Sequence, residues 1–423
     1  MGNERGARAR AGANHRHELG GDFGGLKMSG RQKKLLHEIS QVFSGLAFRS
    51  QDLGVRGIPV IKIANIQNKR VRPECTDRLP EELCTTKMNR YFLRPEDTLI
   101  AMTGAGSVGK VGKMPSIEGR FLVNQRVAIV RPDSSQCDTS FVYYALSQDI
   151  YETKLYGLGL GAGQPNISAK QIGELEVPFP PLPIQQRIAG ILSAYDELIE
   201  NSQRRIKILE SMARALYREW FVHFRFPGYE HHPRVPSPLG EIPQGWEVGR
   251  LDDILVLQRG FDLPKAARKE GAVPIIAATG VTGFHNEAKV RAPGVVTGRS
   301  GTIGEVLYVQ EDFWPLNTSL WAKEFPKGEP LYAYYLLSSL DLKQFNSGAA
   351  VPTLNRNDIH GIRVIVPPRD LQMRFQDIVG VMLKKSRTLN LKNQNLRRTR
   401  DLLLPRLLSR QIKVEKLSEQ DGP

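Results

Sequence analysis

Residues 164–192 read QPNISAKQIGELEVPFPPLPIQQRIAGIL, and residues 351–379 read VPTLNRNDIHGIRVIVPPRDLQMRFQDIV. The two stretches match in one constant register, through the pairs Pro165 with Pro352, Ile172 with Ile359, Pro180–Pro181 with Pro367–Pro368, Gln185 with Gln372, Arg187 with Arg374, and Ile191 with Ile378. The sequence is therefore an internal repeat of two copies. A solenoid needs three or more units to bury a continuous core. We expect instead two similar modules related by an approximate two-fold axis.

The similarity continues upstream with small gaps. The further pairs are Gly106–Gly109 (GSVG) with Gly301–Gly304 (GTIG), Asn124 with Asn317, Tyr143–Tyr144 with Tyr334–Tyr335, and Gly57–Ile66 with Ala272–Val281. Each copy begins with short β-branched and aromatic runs separated by Gly and Pro, which predict a small, mostly β domain. A proline-rich junction follows, PFPPLP in the first copy and VPPRD in the second. Such a junction ends a sheet and starts a helix.

A long helix is predicted after each junction, because apolar or small residues recur there at steps of three and four, as in a coiled-coil seam. In the first copy the seam is Ile184, Ile188, Ile191, Tyr195, Leu198, Ser202, Leu209, Met212 and Leu216. In the second copy it is Phe375, Ile378, Met382, Leu389, Leu396 and Leu403. Pro405 should kink or end the second helix. The two stripes could cover each other by packing antiparallel, and a helix of roughly 38 residues would span about 57 Å.

These patterns predict an α+β fold, with two similar mostly β domains separated by two long helices packed as an antiparallel coiled coil. The expected divisions are a disordered extension at 1–28, a β domain at 29–182, a helical spacer and linker at 183–239, a β domain at 240–367, a helical spacer at 368–414, and a disordered tail at 415–423. The extension is rich in Gly, Ala and Arg and has almost no apolar residues to bury. Met28 is an alternative start of the protein.

The charge balance favours a polyanionic partner. The 59 Lys and Arg residues exceed the 44 Asp and Glu, giving a formal charge of +15. Such an excess most often serves nucleic acid, and a basic solvated surface is the alternative. We find no apolar run of about 18 residues and no signal-peptide pattern, so we expect a cytoplasmic protein with no membrane contact. The cysteines Cys75, Cys84 and Cys137 lack metal-type spacing, so we predict neither disulfides nor a metal site.

One glycine-rich stretch suggests a different function. Residues 104–111, GAGSVGKV, partly match a phosphate-binding loop, but Val111 stands where Ser or Thr should bind Mg²⁺. In the repeat, Glu305 faces Lys110, and a carboxylate there would repel a triphosphate. We therefore favour a structural turn and keep a P-loop NTPase as the less favoured alternative.

Three segments of the chain closely resemble the specificity subunit of Type I restriction-modification systems. They are the run from PFPPLPIQQRIAGIL to REWFVHFRFPG (residues 178–228), the segment IPQGWEVGRLDDI (residues 242–254), and LKNQNLRRTRDLLLPRLLSRQIKV (residues 391–414). The similarity extends over about residues 30–414. The family's first domain usually opens with Pro-x-x-Trp, whereas this chain has GRQKKLLHEI at residues 30–39, which leaves its first strand uncertain.

The resemblance implies that each β domain is a target recognition domain and that the chain has no catalytic residues and no cofactor of its own. It also implies several partners: double-stranded DNA, two adenine-N6 methyltransferase subunits that bind S-adenosylmethionine, and restriction subunits that use ATP and Mg²⁺. Protein two-fold symmetry maps onto two DNA half-sites. Because the two copies differ at most variable positions, we expect a bipartite, asymmetric target. An orphan DNA-binding or swapping module without active partners is the remaining alternative.

Polar and basic residues near predicted loop edges are candidates for contacts with bases and phosphates. In the first domain they are Lys62, Asn65, Gln67, Lys69, Arg70, Lys110, Lys113, Gln125 and Arg126. In the second domain they are Arg259, Lys265, Arg268, Lys269, His285, Asn286, Arg291 and Arg299. Residues 384–413 add ten Lys and Arg against one Asp. This basic run could lie over the DNA backbone, form part of a methyltransferase docking surface, or be a solvated helix face.

Overall fold

The computed structural model describes residues 33–74, 76–160, 163–409 and 411–412. The predicted disordered ends, residues 1–28 and 415–423, and the alternative start Met28 lie outside these residues. The chain forms two compact units. The first unit combines the residues up to Glu197 with those from Leu396 onward, and the second unit comprises Leu198–Asn395. Each unit therefore contains one β-rich module and part of both long helices.

The first unit is built from short strands and a few short helices. Its strands are β1 (Lys33–Leu35), β2 (Ser40–Ser44), β3 (Ile58–Ile61), β4 (Ile66–Gln67), β5 (Arg70–Val71), β6 (Arg78–Leu79), β7 (Thr98–Ala101), β8 (Val111–Lys113), β9 (Leu122–Val123), β10 (Val127–Pro132) and β11 (Glu176–Pro178). Its helices are α1 (Leu36–Ile39), α2 (Thr139–Leu146), α3 (Asp149–Leu158), α4 (Ala169–Gly173) and the first part of α5 (Leu182–Tyr217).

The second unit has a similar inventory. Its strands are β12 (Arg234–Ser237), β13 (Gly240–Pro243), β14 (Glu247–Arg250), β15 (Val256–Arg259), β16 (Val273–Ala277), β17 (Gly280–His285), β18 (Gly294–Gly298), β19 (Val306–Val309), β20 (Trp314–Pro315), β21 (Ser319–Glu324) and β22 (Arg363–Val366). Its helices are α6 (Leu251–Ile254), α7 (Pro330–Ser339), α8 (Arg356–His360) and most of α9 (Arg369–Leu408).

The strand orders of the two units correspond, which confirms the repeat. The first unit has sheets β2-β10-β7-β8-β5-β4, β6-β3-β9 and β1-β11, and the second has β15-β21-β18-β19, β17-β16-β20 and β14-β22. One pair in each three-stranded sheet is parallel, β3 with β9 and β16 with β20. The uncertain first strand is also settled, because β1 pairs antiparallel with β11 as β14 pairs with β22.

Backbone hydrogen bonds test the individual residue pairs of the repeat. The carbonyls of Pro165 and Pro352 accept from the amides of Gly104 (3.1 Å) and Gly301 (2.9 Å), so this pair is confirmed. The pairing of Asn124 with Asn317 is wrong by one residue. The amides of Asn124 and Leu316 donate to Ile61 and Ile276, the equivalent carbonyls of β3 and β16. Position in the ladder, and not residue type, defines equivalence here.

Two buried glutamines attach the β modules to the long helices. The side-chain oxygen of Gln185 accepts from the Asp138 amide (3.0 Å), and its nitrogen donates to the Pro180 carbonyl (2.8 Å). Gln372 repeats this arrangement with the Glu329 amide (2.8 Å) and the Pro367 carbonyl (2.9 Å). Asp138 and Glu329 are the N-cap residues of α2 and α7. The Pro-Pro-x-x-x-Gln motif thus fixes the start of each long helix to a module helix.

Each unit has its own hydrophobic core. In the first unit, α2 and α5 pack with the sheet and with the end of α9, through residues such as Phe141, Ile188 and Leu407. In the second unit the core contains a cluster of aromatic rings, in which Tyr217 lies 5.6 Å from Tyr335 and 6.2 Å from Phe375, measured between ring centroids. Aromatic pairs at these separations add to the stabilisation from buried area.

The two long helices differ from the predicted seam by one residue at three places. Leu198, Met212 and Ile378 are 42–49% exposed, and the residue after each, Ile199, Ala213 or Val379, is buried instead. In a heptad, core positions can be spaced by four and then three residues as well as by three and then four. Because two adjacent residues are apolar or small at each of these places, the sequence pattern fits both spacings. Pro405 lies inside α9, which continues to Leu408, so of the two predicted effects of this proline, a kink or an end of the helix, the end is wrong. None of the described helices is long and apolar enough to cross a bilayer.

Candidate nucleic-acid interface

Four of the six first-unit cations proposed to contact DNA have a carboxylate partner. The pairs are Lys62 with Asp77, Lys69 with Asp149 (2.8 Å), Arg70 with Asp196 (3.7 Å) and Lys113 with Glu96 (3.1 Å). Arg70 also donates to the Asp196 carbonyl, and Lys113 to the Ser140 hydroxyl (3.1 Å). Exposed pairs such as those of Lys62 and Lys69 are worth at most about 1 kcal/mol, so a phosphate can displace the carboxylate. Arg70 and Lys113 instead connect elements of the unit.

Two of the candidates, Asn65 and His285, are buried and bond to backbone groups of the fold. Asn65 is 4% exposed, and its side chain accepts from the Lys62 amide (2.8 Å) and donates to the Arg72 carbonyl (2.7 Å). His285 is also 4% exposed. Its Nδ1 accepts from the Lys269 amide (3.1 Å), and its ring lies 5.2 Å from that of Trp314. Both side chains satisfy backbone groups inside the fold, which residue type alone did not reveal.

The remaining first-unit candidates lie on turns. Gln125 and Arg126 form the exposed turn between β9 and β10, and Gln67 is exposed at the end of β4. Lys110 ends the turn between β7 and β8, and it shares with Lys69 a small groove of about 150 Å³. The fold thus brings Lys110 close to Lys69, and it also pairs Arg70 on β5 with Lys113 on β8.

The glycine-rich turn is not a phosphate-binding loop. It joins β7 to β8, an antiparallel pair in which Ile100 faces Val111, whereas a phosphate-binding loop leads from a strand into a helix N-terminus. The P-loop NTPase alternative is therefore wrong. Gly109 and Gly304 have φ of 84° and 96°, a left-handed conformation that glycine adopts without steric cost. The pair Gly109 with Gly304 thus has a common conformation, whereas the pairing of Gly106 with Gly301 is wrong, because the amide of Gly104 takes the place of the Gly301 amide.

In the second unit, Arg259 and Arg299 line an open groove of about 880 Å³. Arg299 donates from Nη1 to the Asn317 carbonyl (3.2 Å). Arg259 lies 3.6 Å from Asp262, measured between Nη2 and Oδ1. Arg356 and Gln258 line the same groove and were not predicted from the sequence. The aligned repeat held a signal for Arg356, because it stands opposite the neutral Ala169.

The other second-unit candidates lie near the β16–β17 hairpin or on the loop after it. Lys265, Lys269, Asn286 and Arg291 are exposed. Arg268 is half-buried, and its Nε has no hydrogen-bond partner among the described residues. The bond between the Lys269 amide and His285 ties the segment before β16 to the end of β17. None of these candidates lines the groove that contains Arg259 and Arg299.

The basic run of α9 contains cations that pair with carboxylates and cations that are exposed. Arg387 donates to Glu311 (2.7 Å), and Arg400 pairs with Asp196 and with Asp401 (2.8 Å). The exposed members are Lys384, Lys385, Lys392, Arg397, Arg398 and Arg406. Arg410 and Lys413 lie outside the described residues. The exposed cations leave all three sequence-based interpretations of this helix open.

Metal ligation and thiol reactivity are separate questions for the described residues. They contain no group of three or more His, Cys, Asp or Glu side chains that could hold a metal ion. Burial raises the pKa of the Cys137 thiol to about 11, so this thiol stays protonated at neutral pH and is a poor nucleophile. What the surface does present is hydrogen-bond donors and positive charge.

The chain is similar to known proteins both in sequence and in structure. The chain is 27% identical over 303 residues to the Type I restriction enzyme MjaIX specificity subunit of Methanocaldococcus jannaschii, covering 66% of this chain and 70% of the relative. It is 21% identical over 379 residues to the Type I restriction enzyme HindI specificity subunit of Haemophilus influenzae, covering 69% and 81%. The crystal structure of a Type-I restriction-modification system S subunit from M. genitalium superposes with a TM-score of 0.61 at 19% identity, covering 90% of this chain and 96% of that chain. At this identity the superposition shows a shared fold.

A family model matches the chain twice, once in each copy of the repeat. The model, described as the Type I restriction modification DNA specificity domain, covers residues 28–211 and 243–399. The two matched segments together span well over half of the chain. The duplicated sheets, the buried glutamine joints and these matches agree, and the chain belongs to the Type I restriction-modification DNA specificity family.

Proposed function

We propose that this chain is the sequence-specific DNA-recognition subunit of a Type I restriction-modification complex, and that it reads a bipartite, asymmetric target with one half-site per β module. The duplicated strand order carries this proposal. Two modules with one backbone design present different surface residues, as Lys110 and Glu305 do at equivalent turns. Direct readout depends on which donors and acceptors face the base edges, so unlike surfaces select unlike half-sites.

We also propose that α5 and α9 pack as an antiparallel coiled coil. Contacts within each unit support this arrangement. In the first unit, Arg400 near the end of α9 pairs with Asp196 in the first half of α5. In the second unit, Phe375 near the start of α9 packs on Tyr217 at the end of α5. Opposite ends meet in each unit, as antiparallel packing requires. Helices of 36 and 40 residues span about 54 and 60 Å at 1.5 Å per residue.

In this proposal the chain itself catalyses no reaction. It docks two adenine-N6 methyltransferase subunits that bind S-adenosylmethionine, and restriction subunits that use ATP and Mg²⁺. The exposed face of α9 around residues 384–398 is a candidate for holding the DNA backbone between the half-sites, because exposed cations there can release counterions from phosphate.

Mapping methylated adenines tests the proposal. The full chain, co-expressed with its cognate methyltransferase subunit in a host without other adenine methylation, should give N6-methyladenine in one split, non-palindromic motif. A continuous motif, or methylation with no sequence preference, would contradict the bipartite proposal. DNA binding without any methylation would favour the orphan-module alternative.

A further inference from the structure

The groove of the second unit differs from its surroundings by a concentration of guanidinium groups. Its polar lining includes Gln258, Arg259, Asp262, Arg299, Asn355 and Arg356. Three cations and one carboxylate give this part of the lining a formal charge of +2, since Gln258 and Asn355 are neutral. A positive concave surface with neutral amide groups beside it suits a ligand that is anionic and rich in hydrogen-bond acceptors.

Two of the three guanidinium groups are held in place without being neutralised. Arg299 and Arg356 each donate from Nη1 to a backbone carbonyl, of Asn317 (3.2 Å) and of Leu257 (3.4 Å). A carbonyl orients the group but carries no net charge. Over the part of the chain that the structure describes, the Nε and Nη2 atoms of both residues have no protein acceptor. This edge of a guanidinium is the one that can donate two parallel bonds.

The third guanidinium belongs to a small network at the rim. Arg259 faces Asp262 at 3.6 Å, and the Asn317 side chain donates to the same carboxylate. The Asn317 carbonyl in turn accepts from Arg299. Both Arg259 and Asp262 are more than half exposed, so their attraction is weak in water. The carboxylate positions the network and leaves the groove positive.

The first unit lacks all three cations at the equivalent places. Ser44 and Arg259 pair with equivalent residues of β10 and β21, Ala128 and Leu320. The carbonyls of Met102 and Arg299 accept from the equivalent amides of Ile167 (2.9 Å) and Leu354 (2.8 Å). Ala169 and Arg356 are the first residues of α4 and α8. Ser, Met and Ala in one unit thus stand where the other has three Arg.

We infer that this groove is the DNA-contacting site of the second module, and that Arg299 and Arg356 donate to acceptor atoms of the DNA there. The inference rests on the proposed function and deepens it. A guanine edge (O6 and N7) and a phosphate share the same chemistry, two neighbouring oxygen or nitrogen acceptors. The groove therefore contacts the second half-site only. The first module has no arginine cluster at this position and reads its half-site with other residues.

The test compares Arg299→Gln and Arg356→Gln with Arg363→Gln in the full chain assembled with its methyltransferase subunit. Arg363 is exposed on β22 and lies outside the groove, so its replacement removes the same charge elsewhere in the unit. Far-UV circular dichroism and thermal melting are used to check that each variant folds. Affinity for a fluorescent duplex carrying the mapped target is measured at several salt concentrations, and the methylated motif is mapped again.

We expect each groove variant to bind at least about tenfold more weakly than Arg363→Gln, the loss typical of one bidentate contact. Relaxation of the motif at a guanine of the second half-site would identify a base edge as the ligand. A uniform loss with a salt slope smaller by about 1 would identify a phosphate. Asp262→Asn should strengthen binding, because it removes the groove's negative charge.

Unchanged affinity and motif in both groove variants, beside an intact split motif, would overturn the groove inference and leave the proposed function standing. A variant that fails to fold is replaced by Arg299→Met or Arg356→Met, which keeps the long apolar stem of the side chain but removes the charge and every donor. A loss of affinity in that variant would support the inference, and full affinity would overturn it. If the unaltered complex methylates no split motif, the proposed function fails and the groove inference falls with it.

Discussion

At the scale of single residues, Gln185 and Gln372 explain why the same short motif begins both long helices. Each is fully buried, and each amide bonds to backbone groups on two different segments. A buried amide is costly unless both ends have partners. Here the partners are an N-cap amide and a proline carbonyl, groups that secondary structure leaves unpaired. The glutamine therefore satisfies both while it joins a module to its helix.

Replacing either glutamine by alanine should destabilise its own unit. Gln185→Ala leaves the Asp138 amide and the Pro180 carbonyl without partners, and each unpaired buried group costs about 1–3 kcal/mol. We expect a loss of about 2–4 kcal/mol in the free energy of unfolding, measured by urea denaturation. Gln186→Ala, at the exposed next position, is the control. Equal stability of the two variants would show that the buried amide is not a joint.

Residue type predicted the surface cations better than it predicted their roles. Lys110, Gln125 and Arg126 lie on exposed or half-exposed turns as expected. Asn65 and His285 are buried because backbone amides nearby need acceptors, a demand that only the folded chain creates. Arg356 was missed because it opens a five-residue helix far along the chain from Arg259 and Arg299. Tertiary structure alone brings these three together.

At the scale of elements, the lengths of the two long helices were predicted well. The residues on their buried faces were predicted less well. The proline-rich junctions gave their starts, because proline is favoured in the first helical turn. The buried face is displaced at Leu198, Met212 and Ile378, since an apolar or small residue follows each. The structure also buries polar side chains on this face, namely Ser202, Ser386 and Asn393. Polar residues in a seam fix its register at a cost in stability.

The contact between β15 and α8 should respond to acid. Nε2 of His360 accepts from the Leu257 amide (3.0 Å), so the neutral ring is required. Burial, helped by Arg356 and Arg250 and opposed by Asp252, lowers the pKa of His360 in the folded chain. The unfolded chain therefore takes up the proton first, from a pKa near 6.5. The stabilisation is complete above that pH and is lost as the pH falls through the lower, folded value.

Urea unfolding at pH 7.5 and 5.5 measures this linkage. The unaltered chain should lose more stability between these pH values than His360→Gln, whose amide oxygen can accept the same hydrogen bond but does not titrate. His231→Gln, at an exposed histidine of the same unit, should behave like the unaltered chain. If His360→Gln and the unaltered chain show the same pH dependence, protonation of His360 does not weaken this contact.

At the scale of the whole molecule, the repeat made most of the fold predictable from one sequence. Two aligned copies gave two modules of one design, and the strand orders agree with this. The same comparison argued against a nucleotide site, because Glu305 replaces Lys110 in the second copy. The net charge predicted a polyanionic partner but not where it binds. Where positive charge remains available on the surface depends on which cations pair with carboxylates in the folded chain. Arg70, Lys113 and Arg400 are paired in this way.

A swap of one module tests most directly the claim that each module reads its own half-site. Residues 240–366, from β13 to the end of β22, are replaced by the corresponding segment of another Type I specificity subunit, and methylated adenines are mapped in the complex. We predict that one half of the split motif changes to that of the donor while the other half stays the same. A change in both halves, or in neither, would contradict the account.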